Sequence, residues 1–214
     1  MKTGILWDLD GTLLDTLEDL MDGVNYALSQ FGYPERTREE IRRFVGNGAR
    51  KLIDRSVPEG ADPEPVFECF QTYYAAHCQV KTKPYGGIME ALERLKDYPM
   101  AVVSNKPDGA VKSLCAQYFP GVYARGERAD CPRKPAPDMV KQAMEDIAVD
   151  QCIYVGDSEV DVLTACNAGV PCLSVLWGFR DREEMEAVGG RYFCEDPSKL
   201  AQTLEVMIRD LTAQ

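Results

Sequence analysis

Short apolar segments alternate along the chain with stretches in which apolar residues recur every three or four positions. The first pattern is typical of buried strands and the second of amphipathic helices. Strands are predicted at residues 5–7, 100–104, 122–124, 152–155, 172–176 and 191–194. Helices are predicted between and after them, at residues 88–96, 110–118, 137–147, 160–168, 182–188 and 198–211. Short strands that alternate with helices predict an α/β fold with a parallel sheet covered on both faces.

Residues 15–81 depart from this alternation, because their pattern is helical throughout. Helices are predicted at residues 17–31, 37–45, 49–57 and 63–80, separated by Gly and Pro residues. We therefore expect a core formed by residues 1–14 and 82–214, and a small helical insert formed by residues 15–81.

Three polar positions in the insert carry predictions of local structure. Thr16 with Asp19, and Thr37 with Glu40, have the spacing of a capping box at a helix start. His77 falls on the apolar stripe of the fourth helix, where we expect it to be packed or to lie at the helix edge rather than to act in chemistry.

Composition limits the possible partners and the possible chemistry. The 214 residues carry a net charge of −11, which disfavours binding to nucleic-acid phosphates or to an anionic membrane surface. No apolar run reaches membrane-spanning length, and the eight Cys form no Cys-x-x-Cys pair, so we expect a cytoplasmic protein with reduced, buried thiols. A single His excludes a two-His metal site and favours chemistry that runs on carboxylates.

The stretch from residue 5 to residue 16 contains the first candidate site. Asp8 and Asp10 directly follow the first strand, and Gly11 and Thr12 form a turn pair. Two carboxylates at a strand end repel each other, and a hard cation such as Mg²⁺ would relieve that repulsion. These residues alone are equally compatible with a solvated acidic turn.

Other polar residues follow the predicted strands in the same way. They include two hydroxyls, an amide, two lysines and further acids, with Lys134 in a loop before a helix: Ser104, Asn105, Lys106, Lys134, Asp157, Ser158, Glu159 and Asp161. Ligands of parallel α/β sheets bind beyond the carboxyl ends of the strands. The set therefore predicts one site that binds Mg²⁺ together with a phosphate group.

Taken together, these motifs resemble those of the haloacid dehalogenase superfamily of aspartate-nucleophile phosphatases. The four matching motifs are Asp8-Leu-Asp10-Gly-Thr12, Ser104-Asn105, Lys134-Pro135 and Gly156-Asp157-Ser158 with Asp161, in the family's order. The resemblance implies a Rossmann-like core and an obligatory Mg²⁺, and it identifies the helical insert with the family's small cap domain.

The resemblance also implies a role for each motif residue. Asp8 would be the nucleophile that forms an acyl-phosphate, and Asp10 would protonate the leaving oxygen and then activate water. Asp8, the backbone carbonyl of Asp10, and Asp157 would hold Mg²⁺. The residues that would bind phosphate are Thr12, Ser104, Asn105 and Lys134. Ser158 and Asp161 would orient the residues that bind the metal and the phosphate.

Within the family, the segments at residues 44–50, 104–107 and 177–179 resemble phosphoglycolate phosphatases. The expected substrate is therefore a small phosphorylated metabolite such as 2-phosphoglycolate. We expect the insert to choose it through Asn47, Gly48 and Arg50, with Arg50 binding the substrate carboxylate across the cleft. A sugar phosphomutase of the same fold and a non-catalytic phospho-ligand binder remain alternatives, and the sequence does not distinguish a monomer from a homodimer.

Overall fold

A six-stranded parallel sheet forms the centre of the computed structural model, which describes residues 1–213. Its strand order is β5-β4-β1-β6-β7-β8. The strands of the chain are β1 Thr3–Trp7, β2 Leu14–Asp15, β3 Lys83–Pro84, β4 Met100–Pro107, β5 Tyr123–Glu127, β6 Gln151–Gly156, β7 Cys172–Val175 and β8 Tyr192–Cys194. The predicted α/β fold with a parallel sheet is confirmed.

Side-chain alternation along the strands divides the core into two layers. Ile5 and Trp7 of β1 pack with one cluster of buried apolar residues, and Leu6 packs with the cluster on the opposite face. The same division separates Ile153 from Tyr154 in β6. Because both faces are buried, the strands read as continuous apolar runs rather than as alternating ones.

Helices cover the two faces of this sheet and fill the insert. They are α1 Leu17–Gln30, α2 Arg38–Phe44, α3 Ala49–Ser56, α4 Glu64–His77, α5 Ile88–Arg94, α6 Asp108–Tyr118, α7 Asp138–Asp146, α8 Glu159–Ala168, α9 Arg182–Ala187 and α10 Leu200–Thr212. A 3₁₀ turn at Pro197–Lys199 precedes α10. Strand β4 continues three residues beyond its predicted end, so it carries Ser104 to Lys106 up to the edge of the sheet.

Helices α1 to α4 pack around an apolar cluster of their own, which includes Val24, Ile53 and Phe70. Phe179, from the loop after β7, joins this cluster. We call residues 15–81 the cap; the exact division of the chain into cap and core remains our proposal.

A short antiparallel ribbon, which the sequence analysis did not predict, joins the two passages between core and cap. In it β2 pairs with β3, with Leu14 opposite Pro84. The predicted capping box at Thr16 is wrong, because Thr16 makes no side-chain cap hydrogen bond. The buried carboxylate of Asp19 instead accepts hydrogen bonds from the backbone N–H groups of Lys81 and Thr82. It thus fixes the returning chain against the start of α1.

The two other local predictions concern α2 and α4. The capping box formed by Thr37 and Glu40 is confirmed at the start of α2. His77 is exposed at the end of α4 and stacks on Tyr73 with ring centroids 4.0 Å apart, so of its two predicted positions it takes the helix edge rather than a packed one.

The cysteines are all free thiols, and most of them are at least partly buried. Cys166 is the exception to the expected burial, since it lies exposed on α8. Across residues 1–213, no helix has both the length and the apolar character that a membrane span requires.

Candidate active site

The three strands that end in the predicted motifs lie side by side. Strand β1 pairs with β4 on one side and with β6 on the other. From β1 the sheet extends in opposite directions, through β4 to β5 and through β6 to β8. A crevice forms where strand order reverses in this way, at the carboxyl ends of the strands. Three of the four motifs therefore converge on one edge of the sheet.

Lys134 lies between two carboxylates at this edge. Its Nζ is 2.9 Å from Asp8 Oδ1 and 2.8 Å from Asp161 Oδ1, and it donates a hydrogen bond to the Tyr154 hydroxyl at 3.0 Å. All four side chains are buried. Burial alone would lower the pKa of Lys134, but the charges of Asp161 and Asp8 outweigh it and hold that pKa well above its usual value. Lys134 therefore stays charged beside Asp8.

Asp157 is held in place from two sides. Thr12 Oγ1 donates to its Oδ1 at 3.1 Å, and the backbone N–H of Phe179 donates to its Oδ2 at 2.7 Å. Two glycines permit this approach, because a Cβ on Gly11 or Gly178 would lie 2.3 Å from Asp157 Oδ2. Gly11 also has a φ of +85°, which favours glycine. Thr12 thus contacts Asp157 and is fully buried, and its role in binding phosphate stays a prediction.

One oxygen from each of Asp8, Asp157 and Asp161 lies within 4.8 Å of the other two. Three buried carboxylates at this spacing fit a hard divalent cation. Burial, followed by the charge of Asp161, raises the pKa of Asp8 to about 7, while Lys134 opposes this rise. Burial and the charges of Asp161 and Asp8 raise the pKa of Asp157 well above its usual value. The excess negative charge is what a cation would neutralise.

Hydrogen bonding separates the roles that these acids can take. A carboxylate has about four acceptor positions. Asp161 already accepts from Lys134, Tyr154, the Ser158 hydroxyl and the backbone amides of Asp157 and Ser158. Asp157 accepts only one hydrogen bond at each oxygen. Asp157 and Asp8 therefore retain free acceptor positions for a cation, whereas Asp161 orients Lys134 and the start of α8.

Asp10 points away from this cluster and toward the cap. Its Oδ1 accepts a hydrogen bond from Lys106 Nζ at 2.9 Å, and the same ammonium donates to the Tyr74 hydroxyl of α4 at 2.8 Å. Lys106 and Tyr74 are buried. Burial would lower the pKa of Lys106, but Asp10 and Tyr74 outweigh it and raise that pKa, so Lys106 remains an ammonium. The sequence analysis gave Lys106 no separate role.

Ser104 and Asn105 lie near the end of β4, directly before Lys106. The Asn105 side chain bonds the backbone of Lys134 twice, accepting from its N–H at 2.8 Å and donating to its carbonyl at 3.1 Å. Ser104 Oγ accepts from the Lys106 N–H at 3.2 Å, so its own hydroxyl hydrogen is free to donate. Asn105 therefore positions the lysine loop, and Ser104 can contact a ligand.

A cavity of about 370 Å³ lies between this edge of the sheet and the cap. Cap residues supply an apolar wall that includes Leu20, Val45, Leu52 and Phe70. Most of the predicted site residues line it, namely Asp8, Asp10, Gly48, Ser104, Asn105, Lys134, Asp157 and Ser158. A cavity of this size and composition suits one small polar ligand.

The structure does not place Arg50 in this cavity. Its guanidinium is 2.8 Å from Asp54 Oδ1, contacts Glu64 and lies over the ring of Phe67. All of these partners belong to the cap. Asn47 is half-buried beside Gly48 but does not line the cavity. The expected reach of Arg50 toward the core is therefore absent from this arrangement.

Arg180 is the arginine that joins cap and core. Its guanidinium donates to Glu159 Oε2 at 2.9 Å and to the cap carbonyls of Arg42 and Val45 at 3.1 and 2.7 Å. Next to it, Arg42 donates to Asp181 Oδ1 at 2.9 Å. The segment at residues 177–179, which resembles phosphoglycolate phosphatases, ends one residue before Arg180.

The model of the haloacid dehalogenase-like hydrolase family matches residues 5–175. This range contains all four motifs and the whole cap. The chain belongs to this family.

Relatives extend the family likeness along nearly the whole chain. A phosphoglycolate phosphatase of Vibrio parahaemolyticus is 31% identical over 94% of this chain and 96% of its own length. One from Agrobacterium fabrum is 34% identical over 82% of this chain and 81% of its own. A crystal structure of a candidate phosphoglycolate phosphatase from Lactobacillus delbrueckii matches with a TM-score of 0.88 at 35% identity, covering 95% of this chain and 99% of that one. The predicted family, the phosphatase class of enzyme and the resemblance to phosphoglycolate phosphatases are confirmed.

Proposed function

We propose that this protein is a Mg²⁺-dependent phosphomonoesterase that hydrolyses a small phosphorylated metabolite, with 2-phosphoglycolate among its best substrates. The observation that carries the proposal is the separation of the two motif carboxylates. Asp8 faces Lys134 and the acid cluster, whereas Asp10 faces Lys106 and the cavity. One carboxylate can therefore act as nucleophile while the other moves protons.

In the first half-reaction, an Asp8 oxygen bonds to phosphorus as the bond to the substrate oxygen breaks. Asp10 gives its proton to that leaving oxygen. In the second, Asp10 takes a proton from water, whose oxygen bonds to phosphorus as the acyl-phosphate bond breaks, releasing phosphate and restoring Asp8. Lys134 offsets the repulsion between Asp8 and the phosphate anion, and Ser104 donates to a phosphoryl oxygen.

Asp8, Asp157 and the backbone carbonyl of Asp10 would hold the cation. Bound Mg²⁺ would supply positive charge against the phosphoryl oxygens. Asp161 keeps Lys134 directed at Asp8, and Thr12 and the Phe179 N–H keep Asp157 in place. The cap covers the cavity and excludes bulk water from phosphoryl transfer.

Asp10→Asn tests the division of labour between the carboxylates. We expect turnover of 2-phosphoglycolate to fall by about 10²- to 10⁴-fold, because the leaving alkoxide and the attacking water both lose their proton partner. With p-nitrophenyl phosphate, whose leaving group needs no proton, only the second step should be slow. Stopped-flow absorbance should then show a burst of p-nitrophenolate approaching one equivalent of enzyme. Asp15→Asn, outside the cavity, is the matched control. Equal losses on both substrates without a burst would contradict this role for Asp10.

The substrate assignment is tested by comparing 2-phosphoglycolate with 2-hydroxyethyl phosphate, an analogue of the same chain length with a hydroxymethyl group in place of the carboxylate. We expect kcat/KM to be about 10-fold or more higher for the carboxylate, because one charge-assisted hydrogen bond supplies that much discrimination. Phosphate release is the measurement. Equal efficiency on both compounds would remove 2-phosphoglycolate and leave the phosphatase chemistry standing. Release of an isomer from a sugar 1-phosphate would favour a mutase instead.

A further inference from the structure

The cavity contains few cations that could bind the organic part of a substrate. Among residues 1–213, the cationic side chains that line it are Lys106, Lys134 and Arg180. Lys134 is engaged by Asp8 and Asp161, next to the phosphoryl position. Lys106 and Arg180 therefore remain as the cations that could bind the organic part of a substrate.

Arg180 uses three of its five guanidinium N–H groups to hold the cap against the core. They donate to Glu159 and to two backbone carbonyls of the cap. Lys106 differs from Arg180 in contacting the motif carboxylate Asp10: of its three ammonium hydrogens, one goes to Asp10 and one to Tyr74. One N–H of Lys106 therefore remains for a ligand.

Tyr74 supplies a second donor beside this N–H. Its hydroxyl oxygen accepts from Lys106, and within residues 1–213 its own hydrogen has no acceptor. The Lys106 ammonium also lies 4.8 Å from the centre of the Tyr74 ring. Both side chains line the cavity, one from the core and one from the cap. Together they offer an N⁺–H and an O–H, which matches the two oxygens of a carboxylate.

The position of this pair relative to Asp10 sets the length of the substrate. In the proposed reaction Asp10 contacts the leaving oxygen, and Lys106 Nζ is 2.9 Å from Asp10 Oδ1. In an O-phosphorylated 2-hydroxy acid such as 2-phosphoglycolate, the carboxylate is attached to the carbon that bears the leaving oxygen. A carboxylate so close to the leaving oxygen falls next to the cation that contacts Asp10.

We propose that Lys106 and Tyr74 together bind the carboxylate of the substrate and make the enzyme selective for short phosphorylated carboxylic acids. The inference rests on the proposed phosphomonoesterase function. It replaces Arg50, whose partners all lie in the cap, as the specificity residue. Because the two donors come from different domains, the carboxylate would be bound fully only when the cap is closed.

The experiment measures the ratio of kcat/KM for 2-phosphoglycolate to kcat/KM for 2-hydroxyethyl phosphate. Lys106→Met removes the charge and should lower this ratio by about 10- to 100-fold, as expected for loss of a charge-assisted hydrogen bond. Lys106→Arg should retain part of the preference. Tyr74→Phe removes one hydroxyl, keeps the ring that stacks on Phe70, and should lower the ratio by about 3- to 10-fold.

Arg50→Met is the matched control, because it removes a cation of the cap that does not line the cavity. We expect it to leave the ratio unchanged. If Lys106→Met and Tyr74→Phe reduce both efficiencies equally, Lys106 only positions Asp10 and the inference is overturned. Thermal unfolding checks that the variants are folded. If Lys106→Met does not fold, the result for Tyr74→Phe alone decides whether the inference holds.

The wild-type ratio distinguishes this failure from failure of the proposed function. A wild-type enzyme that hydrolyses both compounds without preference overturns the substrate assignment and the carboxylate site together. A wild-type preference that survives in both variants overturns only the roles of Lys106 and Tyr74. Absence of any phosphate release would overturn the phosphomonoesterase proposal itself.

Discussion

Asp8→Asn is expected to reduce phosphate release by at least about 10³-fold with every phosphomonoester, because a neutral amide cannot form the acyl-phosphate. The fold should survive the change. Burial and the neighbouring Asp161 already disfavour charge on Asp8 and raise its pKa to about 7. Lys134 keeps its second carboxylate partner, Asp161, at 2.8 Å. We therefore expect the midpoint of thermal unfolding of the metal-free variant to equal or exceed that of the wild type.

Steady-state phosphate release and thermal unfolding measure the two parts of this prediction. Asp97→Asn is the matched control, since Asp97 is an exposed acid between α5 and β4, away from the cavity. It should change neither quantity. If Asp8→Asn kept about a tenth of wild-type turnover, water would attack phosphorus directly and Asp8 would not be the nucleophile.

Removal of divalent cations with EDTA should abolish turnover, and Mg²⁺ should restore it. The physical reason is the group of three buried acids with oxygens within 4.8 Å of one another, to which Lys134 brings a single positive charge. Full turnover in the chelated protein, or recovery with Zn²⁺ but not with Mg²⁺, would contradict the magnesium assignment.

Binding can also be measured without turnover, through the Mg²⁺-dependent rise in the midpoint of thermal unfolding. The pKa of Asp8 rises from 3.8 when unfolded to about 7 when folded without metal. The stability linked to this group is therefore full below pH 3.8 and is lost as the pH rises through 7. Mg²⁺ binds the ionised form, so its stabilising effect should be larger at pH 8 than at pH 6. Asp157→Asn should remove most of the effect, and NaCl at equal ionic strength should not reproduce it.

Part of the site could be predicted from local sequence alone. Asp8, Ser104 and Asp157 each follow a short apolar strand, and side chains at the carboxyl ends of parallel strands meet at one edge. The structure places β1 between β4 and β6, which brings these residues together. Chain order and strand periodicity were enough for this, because parallel strands in such a sheet all point the same way.

Other parts depended on contacts between residues distant in sequence. The spacing of Thr16 and Asp19 indicates a capping box at the start of α1, but the carboxylate of Asp19 instead accepts hydrogen bonds from the backbone amides of Lys81 and Thr82. Arg50 appeared suited to the cavity, but Asp54 and Glu64 hold it within the cap. In both cases the side chain binds a partner that hydrophobic periodicity does not reveal, instead of the partner that local spacing indicates.

The sequence by itself determined the α/β fold, the helical pattern of the insert and the identity of the polar residues that meet at the carboxyl edge of the sheet. These follow from hydrophobic periodicity and from short motifs that each occupy a strand end. Only the tertiary structure decided that Asp161 is saturated with hydrogen bonds, that Arg180 joins cap to core, and that Lys106 meets Tyr74 across the cavity. The reason is that the pattern along one element shows which face is buried, whereas the packing of cap against core selects which polar groups meet there.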